Sequence, residues 1–130
     1  MIEQKIPNIA KLTYDPSTHI VEVTVLCEVL DVPETIAIIE ATRDITGDDN
    51  FVILSDFSNV DTITLEARRL FSEKDPRLYA VATVINSVAK VLMINLMAKL
   101  FSFGYKFKHF SDKDQALAWL NEQLKELPQT

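Results

Sequence analysis

The largest concentration of hydrophobic positions in the chain lies in residues 79–103. Residues 79–85 are an almost uninterrupted apolar run, which predicts a buried strand. Residues 87–103, called the apolar segment below, predict a helix. Its large side chains cover roughly 200° of arc, whereas a core-facing stripe needs only about 100°. These side chains belong to Leu92, Met93, Ile94, Leu96, Met97, Leu100, Phe101 and Phe103.

The surplus apolar surface of this helix needs a cover: a second copy of the chain, a ligand, a lipid surface or more of the same domain. Because a symmetric dimer is the commonest use of such a surface on a small domain, we expect a homodimer. Lys90 and Lys99 supply too little positive charge for strong membrane docking, so a peripheral membrane contact is left as a lesser alternative. The predicted interface, or else apolar-ligand surface, consists of Leu92, Met93, Leu96, Met97, Leu100, Phe101 and Phe103.

Strands are predicted in four further places. Residues 9–14 and 19–26 predict two strands, and the turn-forming residues 15–18 between them predict a hairpin. Residues 51–55 are apolar up to a serine and predict a central strand that is buried on both faces. Residues 105–110 alternate between apolar and polar positions, which predicts a strand with one exposed face.

Three further helices are predicted from capping residues and helical spacing. The first begins at Asp31, with a proline and an acidic residue in its first turn. The second covers residues 65–74 and is capped by Thr62 or Thr64. The last follows a capping box that starts at Ser111. The predicted apolar stripes are Ile36, Ile39 and Ile45 in the first helix, and Ala116, Leu117, Leu120, Leu124 and Leu127 in the last.

The predicted order of elements is β-β-α-β-α-β-α-β-α within a single domain, residues 1–130. Every strand after the hairpin follows a helix, which favours parallel pairing with right-handed crossovers. The predicted fold class is therefore α/β, with a mostly parallel five-stranded sheet, an N-terminal hairpin and four helices. A chain of this length buries roughly two-thirds of its unfolded surface, which is enough for one core.

Charge and cysteine content narrow the classes of partner and the compartment. The net charge of −6, with 13 basic residues that form no stripe, argues against nucleic acid as a partner. The single cysteine, Cys27, forms no internal disulfide and suits a reducing compartment. The N-terminal residues lack the apolar core of a signal peptide, and uncharged apolar runs are far shorter than the roughly 20 residues of a membrane span. We therefore expect a cytoplasmic protein without a transmembrane segment.

Residues that carry catalytic or metal chemistry are few and scattered. The two histidines, His19 and His109, lie in separate elements, so neither is placed to activate a serine or the cysteine. They also lack the spacing of zinc ligands. The two glycines, Gly47 and Gly104, belong to no phosphate-binding loop. We therefore expect a non-enzymatic protein with no catalytic residue, metal or cofactor.

A polar segment follows the central strand, at the edge where parallel strands end and ligands commonly bind. We name its Asp56, Ser58, Thr62 and Thr64 the polar corner. These residues are candidates for a phosphoacceptor or a partner-docking site. Their alternative role is structural, since short polar side chains there commonly satisfy the backbone donors of turns and helix caps.

Three segments, together with the order of elements, resemble a known family: residues 53–60 (ILSDFSNV), 80–92 (AVATVINSVAKVL) and 110–120 (FSDKDQALAWL). They are similar to the STAS-domain superfamily, the fold of bacterial anti-sigma-factor antagonists. The first segment is similar to the family's strand that ends in Asp-Leu-Ser-x-Val, and the other two are similar to the stand-alone SpoIIAA-like group of small bacterial proteins. The resemblance implies a STAS-like binding or regulatory module.

The chain differs from that family at the position of the family's regulatory phosphorylation site. The antagonists carry a phosphorylatable serine in an Asp-Ser-Ser-Gly stretch at the start of the second helix. This chain has ITLE at residues 63–66, with Glu66 at one serine position. The resemblance therefore implies the fold of the family but not its usual phosphorylation motif. Nothing in the sequence favours a phosphoacceptor role over a capping role for Ser58, Thr62 or Thr64.

The same resemblance leaves a second function open. The stand-alone group is also similar to CRAL-TRIO domains, which hold apolar ligands beneath a mobile helix. In that case the apolar segment is a lid or a membrane contact of an apolar-ligand or lipid-binding protein. A homodimeric module should have a mass that depends on concentration, whereas a carrier should retain a bound apolar molecule.

Overall fold

The structure is a computed structural model that describes residues 1–73, 75–88, 90–92 and 104–127. Its strands are β1 (Ile2–Ile6), β2 (Ala10–Asp15), β3 (Ile20–Val25), β4 (Val29–Leu30), β5 (Phe51–Asp56), β6 (Thr62–Ile63), β7 (Leu78–Val84) and β8 (Lys106–Phe110). Its helices are α1 (Val32–Thr46), α2 (Leu65–Ser72) and, at the C-terminal end, α3 (Lys113–Lys125). Residues 88 and 90–92 add a helical stretch at the start of the apolar segment, where the Val91 amide donates to the Ser87 carbonyl at 3.0 Å.

Six strands form one sheet in the order β1-β2-β3-β5-β7-β8. β1, β2 and β3 are antiparallel neighbours, so the predicted hairpin is present. β3, β5, β7 and β8 are parallel neighbours, as the prediction of a mostly parallel sheet requires. The two-residue strands β4 and β6 form a separate parallel pair. The predicted α/β fold class is therefore confirmed.

Helices cover both faces of this sheet. Ile38 of α1 and Ala67 of α2 belong to one buried cluster, which includes residues of β2 and β3. Ala116 and Leu120 of α3 belong to a second cluster, with residues of β5 and β7. Successive side chains of a strand point to opposite faces, so β5 contributes to both clusters. Burial on both sides explains why its sequence is continuously apolar.

The buried stripe of α1 differs from the predicted one. The sequence pattern places Ile36 on the buried side, but this residue is 41% exposed, whereas Ile38 is buried. The buried face also includes Thr35 and Thr42. The Thr42 hydroxyl donates to the Ile38 carbonyl at 2.8 Å, so this side chain enters the core with its donor satisfied. A prediction that counts only apolar residues misses a buried threonine of this kind. The predicted buried face of the helix is then rotated about the helix axis relative to the observed one.

The remaining differences lie at the ends of elements. The main sheet has one strand more than the five predicted, and the two-residue strands β4 and β6 were not predicted either. The additional strand of the main sheet is β1, whose residues 3–5 are polar and whose place at the edge buries little of it. Thr64, one of the two predicted candidates, caps α2. The cap of α3 is Asp112 rather than Ser111, because the Asp112 Oδ1 accepts from the Asp114 amide at 2.7 Å.

Candidate binding site at the carboxyl edge of the sheet

The polar corner begins directly after β5. The Asp56 Oδ1 accepts a hydrogen bond from the Ser58 amide at 2.9 Å, which closes a tight turn. The Ser58 carbonyl in turn accepts a hydrogen bond from the Lys90 Nζ. The turn therefore connects the end of β5 to the start of the apolar segment.

Two helix caps meet at the same edge of the sheet. Asp31 caps α1 by accepting from the Val32 amide at 2.8 Å, and Thr64 caps α2 by accepting from the Ala67 amide at 3.3 Å. The Thr64 Oγ1 also donates to the Asp31 Oδ1 at 3.0 Å, a contact that we call the Asp31–Thr64 bridge. The bridge holds the starts of α1 and α2 together. It uses the Thr64 hydroxyl as a donor and as an acceptor.

The structure brings the four residues of the polar corner to one edge but gives them different surroundings. Asp56 and Ser58 form the turn after β5, and Thr64 is a helix cap. Thr62 lies in β6 with an exposed side chain, and its amide donates to the Glu28 carbonyl at 3.1 Å. Turn and cap contacts of this kind are the structural alternative stated above. A docking or phosphoacceptor role for these residues stays a prediction.

Large apolar side chains are exposed around the same edge, and sequence periodicity does not identify them as a group. They belong to the loop after β3, to β4, to the second turn of α1, to the first residue of α2 and to the helical stretch that begins the apolar segment. In the described ranges, the other exposed large hydrophobic residues are Met1 and Ile2. We call the group the carboxyl-edge patch: Leu26, Val29, Ile36, Leu65, Val88 and Leu92.

Exposed carboxylates accompany the carboxyl-edge patch. Glu28, Asp31 and Asp61 lie in the loops beside it, and the Asp61 amide donates to the Glu28 carbonyl at 2.8 Å. Glu66 is exposed next to Leu65 in the first turn of α2. The surface is therefore apolar with an acidic rim. A second copy would present the same acidic rim, so a symmetric contact has to keep these carboxylates at its solvated periphery.

The predicted interface residues fall only partly within the described ranges. Leu92 is 64% exposed, and its neighbour one turn earlier, Val88, is 80% exposed. The other predicted interface residues lie outside the residues that the structure describes, so the interface stays a prediction. These residues are Met93, Leu96, Met97, Leu100, Phe101 and Phe103.

A second candidate is a cavity of about 130 Å³ between α1, α2 and the sheet. Two neighbouring strands supply buried hydroxyls to its wall, since the Ser55 Oγ lies 2.9 Å from the Thr83 Oγ1. Charged side chains, among them Arg43 and Asp75, also line the cavity. Apolar residues that line it include Val23, Ile38, Ile53, Phe57, Phe71 and Val81.

Residues with metal or nucleophile chemistry lie apart. His19 directly precedes β3, and its Nδ1 is 3.0 Å from the carbonyl oxygen of Asn50, which precedes β5, whereas His109 lies near the end of β8. Burial raises the pKa of the half-buried Cys27 thiol, which keeps it protonated. In the part of the chain that the structure describes, no three His, Cys, Asp or Glu side chains group to hold a metal ion. No helix in those ranges has both the length and the apolarity to cross a membrane.

Known proteins resemble this chain at two levels. In sequence, a family described as a domain of unknown function (DUF7793) matches residues 17–124. No curated protein is similar enough in sequence to count as a match. In structure, an uncharacterised protein of the DUF3478 family from Shewanella loihica PV-4, whose crystal structure has a SpoIIAA-like fold, superposes with a TM-score of 0.62. The sequence identity is 16%, and the superposition covers 85% of this chain and 91% of that one, so the predicted SpoIIAA-like fold is confirmed.

Proposed function

This chain belongs to the DUF7793 family, and we propose that it works as a non-enzymatic binding or regulatory module with a STAS-like fold. The module forms a homodimer, and the carboxyl-edge patch is its contact surface. The observation that carries the proposal is the exposure of large apolar side chains in several segments that the topology brings to this edge. Apolar residues exposed singly are ordinary on a protein surface, whereas a group of them marks an interaction site.

The homodimer is centred on the start of the apolar segment. Val88 and Leu92 are one helical turn apart, so they share one side of the helix. They are also the two most exposed residues of the carboxyl-edge patch. In a symmetric dimer each residue is buried twice, once on each protomer. Burying the exposed 64% of Leu92 contributes about 1–2 kcal/mol per copy, and therefore about 2–4 kcal/mol per dimer.

The proposal is tested with Leu92→Asp, which replaces this apolar contact by a charge. Light scattering coupled to size exclusion should show a concentration-dependent mass for the wild type. The substitution should weaken the dimer by about 30- to 700-fold, because each ~1.4 kcal/mol is a factor of ten. At a concentration near the wild-type dissociation constant, the variant should therefore be a monomer with an unchanged circular dichroism spectrum.

The matched control is Ile2→Asp, which places the same charge on another exposed apolar residue. Ile2 is 43% exposed in β1, the edge strand of the sheet, away from the carboxyl-edge patch. This variant should keep the wild-type mass at every concentration. A wild type that is monomeric at high concentration contradicts the homodimer. If the Leu92→Asp variant stays dimeric, the dimer interface lies elsewhere on the surface.

A second candidate function is apolar-ligand binding, and the cavity between α1, α2 and the sheet favours it. In this reading the apolar segment closes over a ligand instead of pairing with a second copy. Native mass spectrometry separates the two functions. A mass near twice that of the 14.7 kDa chain supports the homodimer, and a monomer that carries the additional mass of a bound apolar molecule supports the carrier.

The proposal includes a cytoplasmic location and the absence of enzymatic activity. Cys27 supports the location, because a lone, half-buried and protonated thiol suits a reducing compartment. The turn and cap contacts of Asp56, Ser58 and Thr64 favour a structural use of these groups over catalysis. Turnover of generic ester or phosphate substrates by the purified wild type would contradict the proposed absence of enzymatic activity.

A further inference from the structure

We propose that the cavity between α1, α2 and the sheet binds a compact, uncharged organic molecule that carries one hydrogen-bond-accepting oxygen. The inference deepens the apolar-ligand candidate and is independent of dimerisation through the carboxyl-edge patch. It rests on three features of the described residues: the size of the cavity, an unused hydroxyl hydrogen in its wall, and the balance of charges in and directly beside its lining.

The size of the cavity selects a small molecule. Its volume is about 130 Å³, close to the roughly 150 Å³ of an engineered protein cavity that binds benzene. Phe57 and Phe71 contribute aromatic side chains, and Val23, Ile53 and Val81 contribute aliphatic ones. A ring of about six atoms with one substituent suits this space, whereas a long-chain lipid would have to extend beyond it.

The hydroxyl pair in the wall selects an acceptor. Ser55 and Thr83 lie opposite each other in the parallel register of β5 and β7, and they are 6% and 2% exposed. Their oxygens are 2.9 Å apart, so one hydroxyl donates to the other. Two hydroxyls have two hydrogens, and this bond uses one. In the described part of the chain the second hydrogen has no acceptor, although both side chains line the cavity.

A water molecule at this position would find few further hydrogen-bond donors. A buried water typically makes about three hydrogen bonds. The other hydroxyls of the wall donate elsewhere, Thr42 to the Ile38 carbonyl at 2.8 Å and Tyr105 to the Phe71 carbonyl at 2.6 Å. Beside the Ser55–Thr83 pair, the wall is mostly apolar. An organic molecule with a single acceptor satisfies the spare hydrogen and the apolar wall together.

The charges of the lining favour an uncharged ligand. Asp75 lies between two arginines, with its carboxylate oxygens 4.0 Å from the Arg43 Nε and 3.7 Å from the Arg77 Nε. Arg77 is further held by a hydrogen bond to the Gly47 carbonyl and lies over the Phe51 ring at 5.6 Å. Arg43, Asp75 and also Glu73 line the cavity. Arg77 contacts Asp75 from outside the lining, so the two acids and the two arginines of this cluster balance. No net charge is left to select an ionised ligand.

The test compares cyclohexanone with methylenecyclohexane, in which a carbon group of the same shape replaces the carbonyl oxygen. Each is titrated into the full wild-type chain while the methyl resonances of Ile53 and Val81 are followed by NMR. Cyclohexanone should shift these resonances saturably. It should bind about two- to tenfold more tightly than methylenecyclohexane, which is the range that one hydrogen bond provides.

Two kinds of variant separate the parts of the proposal. The double variant Ser55→Ala with Thr83→Val removes both hydroxyls and should make the two probes bind alike. Val81→Phe fills the cavity and should abolish binding of both, while Val84→Phe adds the same ring on the opposite face of β7 as its control. If Val81→Phe fails to fold, Val81→Leu is the smaller filling change and should weaken both probes.

The outcomes that overturn the proposal are distinct. Absence of saturable shifts in the wild type, or equal binding by a folded cavity-filling variant, refutes the site. Equal binding of both probes by the wild type refutes the acceptor oxygen. Leu92→Asp should leave the titration unchanged, so failure of the homodimer proposal and failure of this one are read independently.

Discussion

The Asp31–Thr64 bridge predicts a measurable coupling between two helix starts. Alanine at position 31 removes the cap of α1 and the acceptor of the bridge. Alanine at position 64 removes the cap of α2 and the donor. Because both substitutions break the same 3.0 Å hydrogen bond, the double variant should lose less stability than the sum of the single variants.

The contacts give the size of this effect. Loss of a helix cap costs about 0.5–2 kcal/mol, typically about 1. A hydrogen bond contributes about 0.5–1.5 kcal/mol net, and the exposed position of Asp31 favours the lower half of that range. Each single variant should therefore lose about 1–3 kcal/mol. The coupling energy of the double-mutant cycle should be about 0.5–1 kcal/mol.

The assay is urea unfolding of the four proteins of the cycle, followed by circular dichroism. Thr64→Ser keeps the hydroxyl and Asp31→Asn keeps a capping oxygen, so both controls should stay within about 0.5 kcal/mol of the wild type. A coupling energy below about 0.3 kcal/mol lies within the usual scatter of additive sites. Such a value would refute the bridge, and the two caps would then be independent features.

Two further predictions concern the core and the response to pH. Leu120→Ala, at a fully buried position of α3, should lower the free energy of unfolding by about 2–5 kcal/mol. Its control, Asn121→Ala at an exposed position of the same helix, should change this free energy by less than about 0.5 kcal/mol. Equal effects of the two substitutions would show that α3 does not pack as described. The pKa of Tyr14 is raised, first by burial and then by its hydrogen bond to Asp49, and burial raises that of Tyr105. A raised pKa favours the neutral phenol in the folded state, so this stabilisation is complete below about pH 10 and is lost as the pH rises further. Tyr14→Phe should therefore reduce the alkaline loss of stability in chemical unfolding, and an unchanged pH profile would contradict the assignment.

The sheet could be predicted from the sequence because its central strands are under strong local constraints. Residues 51–55 and 79–85 are apolar on both faces, a pattern that suits few other structures. The turn-forming residues 15–18 lie between two alternating segments, which leaves a hairpin as the simple solution. Element order and crossover handedness then fix the neighbours of each strand.

Strand β1, the buried face of α1 and the carboxyl-edge patch were harder to predict. The residue pattern within one helix or strand contains no information about which elements lie next to it. β1 is mostly polar, and it is a strand because β2 offers it an open edge. Ile36 suits the core by composition, but Thr35 and Ile38 occupy the core-facing side of α1. The carboxyl-edge patch combines residues of five separate segments. Their proximity is a property of the topology, and no window of the sequence contains it.

The hydroxyl pair in the cavity wall could not be predicted from the sequence for the same reason. Ser55 and Thr83 are 28 residues apart in sequence, and each alone reads as an ordinary small polar residue at the end of an apolar strand. Only the parallel register of β5 and β7 makes them a pair, and only their shared burial turns the second hydroxyl hydrogen into an unmet requirement. Partners and ligands of such a domain are therefore selected by groups that the fold leaves exposed or unsatisfied. In the described part of this chain such groups include the carboxyl-edge patch on the outside and one hydroxyl hydrogen of the Ser55–Thr83 pair on the inside.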